Sequence, residues 1–295
     1  MRFRLALAVA VCALLVAGYY VGTYLLKTKP TRADIAYGAV SERNKLDLYL
    51  PEASNPPVVI FVHGGAFMVG DKAGPQSLDA LLAAGFAVVS VNYQLTDTAI
   101  WPAQLQDVTA AVAYVQTHAS ELGIDGTRIA LFGASAGGFL VSTTGIALAS
   151  GPAPVQAVVD WFGPVQFTTM DADIEATRVV RATGRNDAET SPESKLVGKV
   201  VAADPEAANA VSPLAYLASA TAPLPPFLIM HGDADTYVGR GQSERLRDAL
   251  LANPLNSGVT YHLVKGGGHG TGTFQDVATT QIVVDFLNSA LRSPR

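Results

Sequence analysis

The segment Arg128-Ile-Ala-Leu-Phe-Gly-Ala-Ser-Ala-Gly-Gly138 restricts the possible folds more than any other part of the chain. Ile129 to Phe132 is a β-branched and aromatic run, Gly133-Ala-Ser-Ala-Gly137 is a sharp turn, and Gly138-Phe-Leu-Val reads as the start of a helix. A serine at such a turn is pushed out of regular structure. Its Oγ projects into a cleft, and the first backbone N–H groups of the helix point at whatever it attacks. Gly133 and Gly137 are required because a side chain at either would collide across the turn. By itself the pentapeptide also fits a small-residue turn without chemistry in a chain that holds 27 glycines.

The surrounding pattern supplies a sheet for that turn. Residues 46–51 alternate and read as an edge strand, and 57–62 is a continuous apolar run ending at His63-Gly64-Gly65. Further strands are expected at 86–91, 155–160, 227–230 and 259–264, and helices at 78–85, 103–122, 244–251 and 276–291. Strands alternating with helices predict an α/β domain, a mostly parallel central sheet flanked by helices, with ligands at the carboxyl ends of the strands. That domain spans 35–295, and the weaker, charge-rich stretch from about 166 to 223 reads as a small, partly helical cap inserted over the sheet. Asp171, Asp173 and Glu175 within it lack the glycine and terminal acid of a calcium loop and read as a solvated face.

A chain of 295 residues with 49% apolar content sustains one large domain. Its net charge of −5 offers no basic patch for nucleic acid. Cys12, the single cysteine, excludes an intrachain disulfide and a cysteine-based metal cluster.

The first 34 residues are read as a membrane anchor and a polar tether. Arg2 and Arg4 precede an uncharged stretch, 5–26, closed by Lys27 and Lys29, with Tyr19, Tyr20 and Tyr24 where interfacial aromatics sit. It is long enough for the roughly twenty residues that span a bilayer. A cleaved signal peptide needs a shorter core and a small-x-small site, which Val16-Ala-Gly18 supplies poorly. Val11 before Cys12 speaks against a lipoprotein site. The arginines favour the amino terminus inside, which puts the main domain outside the cytoplasm; cleavage would make it a secreted protein.

A nucleophilic serine needs a base, an acid to orient that base, and donors for the oxyanion. His269, in Gly266-Gly-Gly-His-Gly270 after the strand 259–264, is the base expected; His63, His118, His231 and His262 are weaker choices. For the acid, Asp233 and Asp235 both follow the strand 227–230, and Asp235, further along the loop, is preferred. Gly64, Gly65 and Ala66 after the strand 58–62, together with Ala136 next to the serine, are the expected oxyanion hole.

With Val91-Asn-Tyr-Gln-Leu95, Trp101-Pro-Ala-Gln-Leu-Gln-Asp107, Val159-Asp-Trp-Phe-Gly-Pro164 and Ser191-Pro-Glu-Ser194, these motifs resemble the α/β-hydrolase fold. Within it the sequence is similar to the esterase/lipase branch with an HGG-type oxyanion loop. It looks most like the bacterial feruloyl/acetyl-xylan esterase-like (BD-FAE-like) group, near the hormone-sensitive-lipase-like enzymes, over about residues 40–290. The resemblance implies a triad of the serine, the last Asp of His-Gly-x-x-Asp and the following His, which supports Asp235. Ala66 stands where a third glycine is frequent, Gln94 where an arginine is common, removing an ion-pair partner for Asp107, and Gln166 where an acid often follows Gly-Pro.

The expected function is a serine hydrolase that cleaves small-molecule carboxylic esters through an acyl-enzyme on Ser135, with no metal or organic cofactor. An amide-cleaving hydrolase of aryl-formamidase or peptidase type is the alternative within enzymes, and a catalytically silent binding module is the alternative outside them.

Overall fold

The computed structural model describes residues 28–292. The uncharged stretch 5–26 lies outside them. Eight strands form one sheet in the order β1-β2-β4-β3-β5-β6-β7-β8. They are β1 Arg32–Ala36, β2 Lys45–Tyr49, β3 Pro57–Val62, β4 Ala87–Val91, β5 Asp125–Ala134, β6 Ala157–Trp161, β7 Phe227–Gly232 and β8 Val259–Val264. The β1–β2 and β2–β4 pairs are antiparallel and the remaining pairs are parallel. The helices are α1 Leu78–Ala83, α2 Ala103–Thr117, α3 Ala119–Leu122, α4 Ala136–Leu148, α5 Met170–Thr177, α6 Pro192–Val197, α7 Pro205–Ala210, α8 Pro213–Ala218, α9 Gly241–Ala252 and α10 Val277–Arg292.

Both sheet faces are covered, as continuous apolar strands such as β3 (PVVIFV) and β4 (AVVSV) require. One core joins Val58, Ile60 and Val62 to Val108, Val112, Phe139 and Leu140 from α2 and α4. The other joins Val59, Phe61 and Phe132 to Leu81, Val283 and Leu287 from α1 and α10. The central helix α4 is buried over nearly its whole circumference. Its composition, AGGFLVSTTGIAL, holds no charge.

Three expectations are corrected. The strand at 46–51 is not the edge, because β1 pairs outside it. The sequence of β1, RADIA, is short and charged, as suits an exposed edge, and for that reason reads as a tether. The boundary at residue 34 therefore falls inside β1. The helix expected over 103–122 breaks at His118, where Thr117 Oγ1 bonds back to the Ala113 carbonyl at 2.8 Å and His118 Nδ1 to that of Tyr114 at 3.0 Å.

The third correction concerns the acidic group of the cap. Asp171 is buried; it pairs with Arg181 and accepts the Asn186 and Asp187 N–H groups at 3.0 and 3.1 Å. Asp173 meets Arg245 at 3.1 Å, and only Glu175 is solvated. The acids pin the cap, because their arginine partners lie far enough along the chain to escape a local reading.

Candidate active site

Strand β5 runs through Ala134 into Ser135, which stands at φ 56°, ψ −122° before α4. This backbone lies outside the regions L-residues favour and costs about 1–3 kcal/mol, supplied by the packed strand and helix on either side. The Ser135 N–H donates to the Trp161 carbonyl at 2.9 Å, and its carbonyl accepts from Phe139 at 3.1 Å. The helix approaches so closely that a Cβ on Gly137 would overlap the Val62 carbonyl oxygen, and one on Gly133 the Gly137 carbonyl oxygen.

His269 Nε2 lies 2.8 Å from Ser135 Oγ, and His269 Nδ1 lies 2.7 Å from Asp235 Oδ2. The imidazole sits between Phe162 and Tyr237, with ring centroids at 4.5 and 5.2 Å. The two competing acids divide the work. Asp233 Oδ1 accepts the Gly266 N–H at 2.8 Å, tying down the glycine loop that carries His269. Asp235 faces the imidazole; its other oxygen accepts the Tyr237 and Val238 N–H groups at 2.8 and 3.0 Å. Burial alone would raise the Asp235 carboxyl, but hydrogen bonds from His231 and His269 outweigh it and hold the group well below the usual carboxylate range. His231, fully buried beneath, contacts Ser243 Oγ at 2.7 Å and donates from Nε2 to the Val238 carbonyl at 2.8 Å, which fixes the Asp235 loop.

The loop after β3 lies across the serine turn. A Cβ on Gly64 would stand 2.9 Å from the Ala134 carbonyl oxygen and 3.2 Å from Ser135 Cβ. Gly65 (φ 110°) and Ala66 (φ 54°) turn the chain through the left-handed region, closed by Met68 and Val69 N–H groups on the Gly65 carbonyl, both at 3.0 Å. Among the described residues, the Gly65 and Ala66 N–H groups have no internal acceptor, and Ala136 contributes one of the unpaired donors of the first turn of α4. Gly64, Gly65, Ala66 and Ala136 line the same cleft as Ser135 and His269. His63 holds the loop from behind: Nδ1–H donates to the Gly64 carbonyl at 2.7 Å and the ring stacks on Tyr93 at 4.4 Å. Burial pushes His63 down to about 4, so it is neutral and its Nε2 is free to accept from Arg43 at 3.4 Å.

The departures from the family pattern have visible compensations. Asp107 is buried without an arginine; Gln94 N–H (2.8 Å), Gln94 Nε2 (3.3 Å) and Asn44 Nδ2 (2.8 Å) donate to it instead. Gln166 donates its N–H to Gln242 of α9 at 2.7 Å and its amide to Asn209 of α7 at 3.3 Å, linking α9 to the cap.

The cleft measures about 680 Å³. Phe67, Phe162, Pro164, Met170 and Val238 contribute apolar lining, and Asp71, Gln76, Arg185, Asn186 and Glu193 contribute polar lining. Sequence reasoning assigned no role to Phe162, Tyr237 or the cap residues. Phe162 carries the one available signal, a place directly after a strand end in Trp161-Phe-Gly-Pro164, where it adopts φ 45°.

The BD-FAE family model matches residues 46–250, from β2 to α9. The chain belongs to the BD-FAE family. Curated relatives and solved structures are similar to it in sequence and in architecture. The probable carboxylic ester hydrolase LipM of Mycobacterium tuberculosis is 30% identical over 237 residues, 74% of this chain and 51% of LipM. Esterase LipC of the same organism is 30% identical over 253 residues, 80% of this chain and 59% of LipC. The chain thus spans a little over half the length of these curated relatives. Among solved structures, a truncated carbohydrate esterase from gut microbiota superimposes with a TM-score of 0.78 at 31% identity, over 91% of this chain and 99% of that one. These likenesses place the chain in the α/β-hydrolase fold.

Proposed function

We propose that the protein is a serine hydrolase that cleaves carboxylic esters through an acyl-enzyme on Ser135. The observation that carries this reading is the continuous contact from Ser135 Oγ through His269 to Asp235, 2.8 and 2.7 Å, beside the unpaired N–H groups of Gly65, Ala66 and Ala136. His269 Nε2 accepts the Ser135 hydroxyl proton as Oγ attacks the ester carbonyl. The imidazolium that forms is stabilised by Asp235, which stays ionised. The carbonyl oxygen becomes an oxyanion held by the three N–H groups; losing one such donor typically costs about 2.7–4 kcal/mol of barrier. His269 then protonates the leaving alcohol, and a water deprotonated by the same nitrogen hydrolyses the acyl-enzyme. This route uses no metal or organic cofactor. Relatives named as ester hydrolases support ester over amide cleavage, and the polar side chains lining the cleft suit a hydroxylated alcohol portion. A fluorophosphonate probe on the full chain tests the reading: adduct mass on Ser135 supports it, and an unlabelled, folded protein overturns it.

The same proposal includes a tether. The uncharged stretch 5–26, flanked by Arg4 and Lys27, anchors the domain to a membrane with the cleft outside the cytoplasm. Among the described residues no helix is long and apolar enough to cross a membrane. Retention of the full chain in the membrane fraction after carbonate extraction is the expected result, and release into the supernatant would refute the tether.

A further inference from the structure

Exposed apolar side chains are unevenly distributed over the domain. Val40, Val69, Ile100, Val180 and Tyr237 lie in segments that leave the carboxyl ends of β1, β3, β4, β6 and β7, and Val277 opens α10 after β8. Among the described residues, Leu251, near the carboxyl end of α9, is the single large exposed apolar residue at the opposite edge. Scattered apolar residues are ordinary on a protein surface. Their collection on one edge is not, particularly where Val69 and Tyr237, 62% and 45% exposed, rim the cleft itself.

The amino-terminal chain reaches that same edge. Thr28 Oγ1 bonds Asp79 in the first turn of α1, and Thr28 lines a groove with Gly74, Pro75, Val277 and Thr280. Gly74 lines both this groove and the cleft, so the two are contiguous. Both α1 and α10 begin at the carboxyl edge, because each follows a parallel strand of the sheet. Only Lys27 separates Thr28 from the uncharged stretch 5–26. One residue reaches at most about 3.6 Å. A tether that short leaves the domain little freedom to turn its other end to the anchor's surface.

We propose that the carboxyl edge of the sheet, with the cleft mouth in it, faces the lipid surface. The occupant of the apolar rim is the headgroup layer of the bilayer in which the stretch 5–26 is anchored. The inference rests on the tether in the proposed function and adds an orientation to it. In that orientation the cleft draws amphiphilic esters that partition into the surface.

The test uses the full chain with Cys12→Ser and a single bimane-labelled cysteine, Val277→Cys, Val180→Cys or Leu251→Cys, in phosphatidylcholine vesicles carrying a headgroup nitroxide. Fluorophosphonate labelling of Ser135 verifies that each variant is folded at the site. Quenching is expected to be at least about threefold stronger at 277 and 180 than at 251, because collisional contact is limited to groups near the headgroup layer. Equal quenching at the three positions, or stronger quenching at 251, in protein that floats with the vesicles overturns the orientation alone. Protein that does not float overturns the tether and the orientation with it.

Discussion

Ser135, His269 and Asp235 form a chain of contacts whose ends are tied differently. Ser135 is held by backbone strain, whereas Asp235 is held by two N–H groups and two imidazoles. Ser135→Ala is expected to leave the thermal unfolding midpoint nearly unchanged and to lower the turnover of p-nitrophenyl butyrate by about 10⁴-fold or more, since the members of such a unit act together. Retained turnover would contradict the assignment. A second buried acid has the opposite electrostatic history. Asp160 behind α4 accepts from Ser142 Oγ and Gly163 N–H at 2.8 and 2.9 Å, yet burial pushes it up to about 6. The folded state therefore holds the Asp160 proton more tightly than the unfolded chain, near 3.8. Its stabilising contribution is complete below that value and is lost as pH rises through about 6. Glu193, raised by burial to about 7, adds a loss of the same sign at slightly higher pH. Asp235, held low, contributes stability above the ordinary carboxylate range that is lost only at strongly acid pH. Asp160→Asn keeps an acceptor for Gly163 and is expected to flatten the fall of the urea midpoint between about pH 4 and 6 relative to the natural protein. An unchanged slope there would show that Asp160 does not titrate in that window.

At the scale of elements, the serine turn exists because β5 and α4 pack at backbone distance. A Cβ at Gly137 meets the Val62 carbonyl oxygen, a backbone atom of the neighbouring strand that has no room to yield. Gly137→Ala is therefore expected to destabilise the domain by about 3 kcal/mol or more and to reduce soluble yield. Gly184, on the cap loop, has open space within 4 Å of the point where a Cβ would stand, and its backbone is not left-handed. Gly184→Ala should change stability by no more than about 1 kcal/mol, in the favourable direction. Paired urea titrations check both. The contrast also explains what could be read in advance. Ser135 and Asp235 follow continuous apolar runs and His269 follows the mixed strand β8 (VTYHLV), each with a glycine turn behind it, and these signals are local. Strand β1 and the break at His118 were not legible, because an exposed, charged edge strand has no apolar pattern and one residue of helix fraying leaves no compositional trace.

At the scale of the molecule, charge fixes the cap: Asp173 ties it to Arg245 of α9, and Asp171 organises its interior. Asp171 gathers Arg181, Asn186 N–H and Asp187 N–H, and so holds the loop whose Thr183, Gly184, Arg185 and Asn186 roof the cleft. Asp171→Ala leaves Arg181 and two backbone donors without their shared acceptor. The expected outcome is a roughly three- to tenfold higher KM for a small ester, a kcat within about twofold of the natural value, and faster proteolysis between 181 and 190, read by steady-state kinetics and limited digestion. An unchanged KM would mean that the roof does not depend on this acid.

Local patterns in the chain were sufficient for the α/β class, the serine turn, the histidine brought beside it and the glycine loop laid across it, because each is written in a run of neighbouring residues whose periodicity and glycine placement have one structural use. They narrowed the acid to Asp233 and Asp235 and preferred Asp235, which lies further along the loop. The folded arrangement separated those two, giving one to the imidazole and the other to the loop beneath it. It likewise made buried Asp171 and half-buried Asp173 into clamps, satisfied Asp107 with Asn44 and Gln94, and gathered the apolar rim on the edge with the cleft. The physical reason is that a hydrogen bond or ion pair between residues ten or more positions apart is created by tertiary packing, and no local pattern in the chain records which partners that packing will bring together.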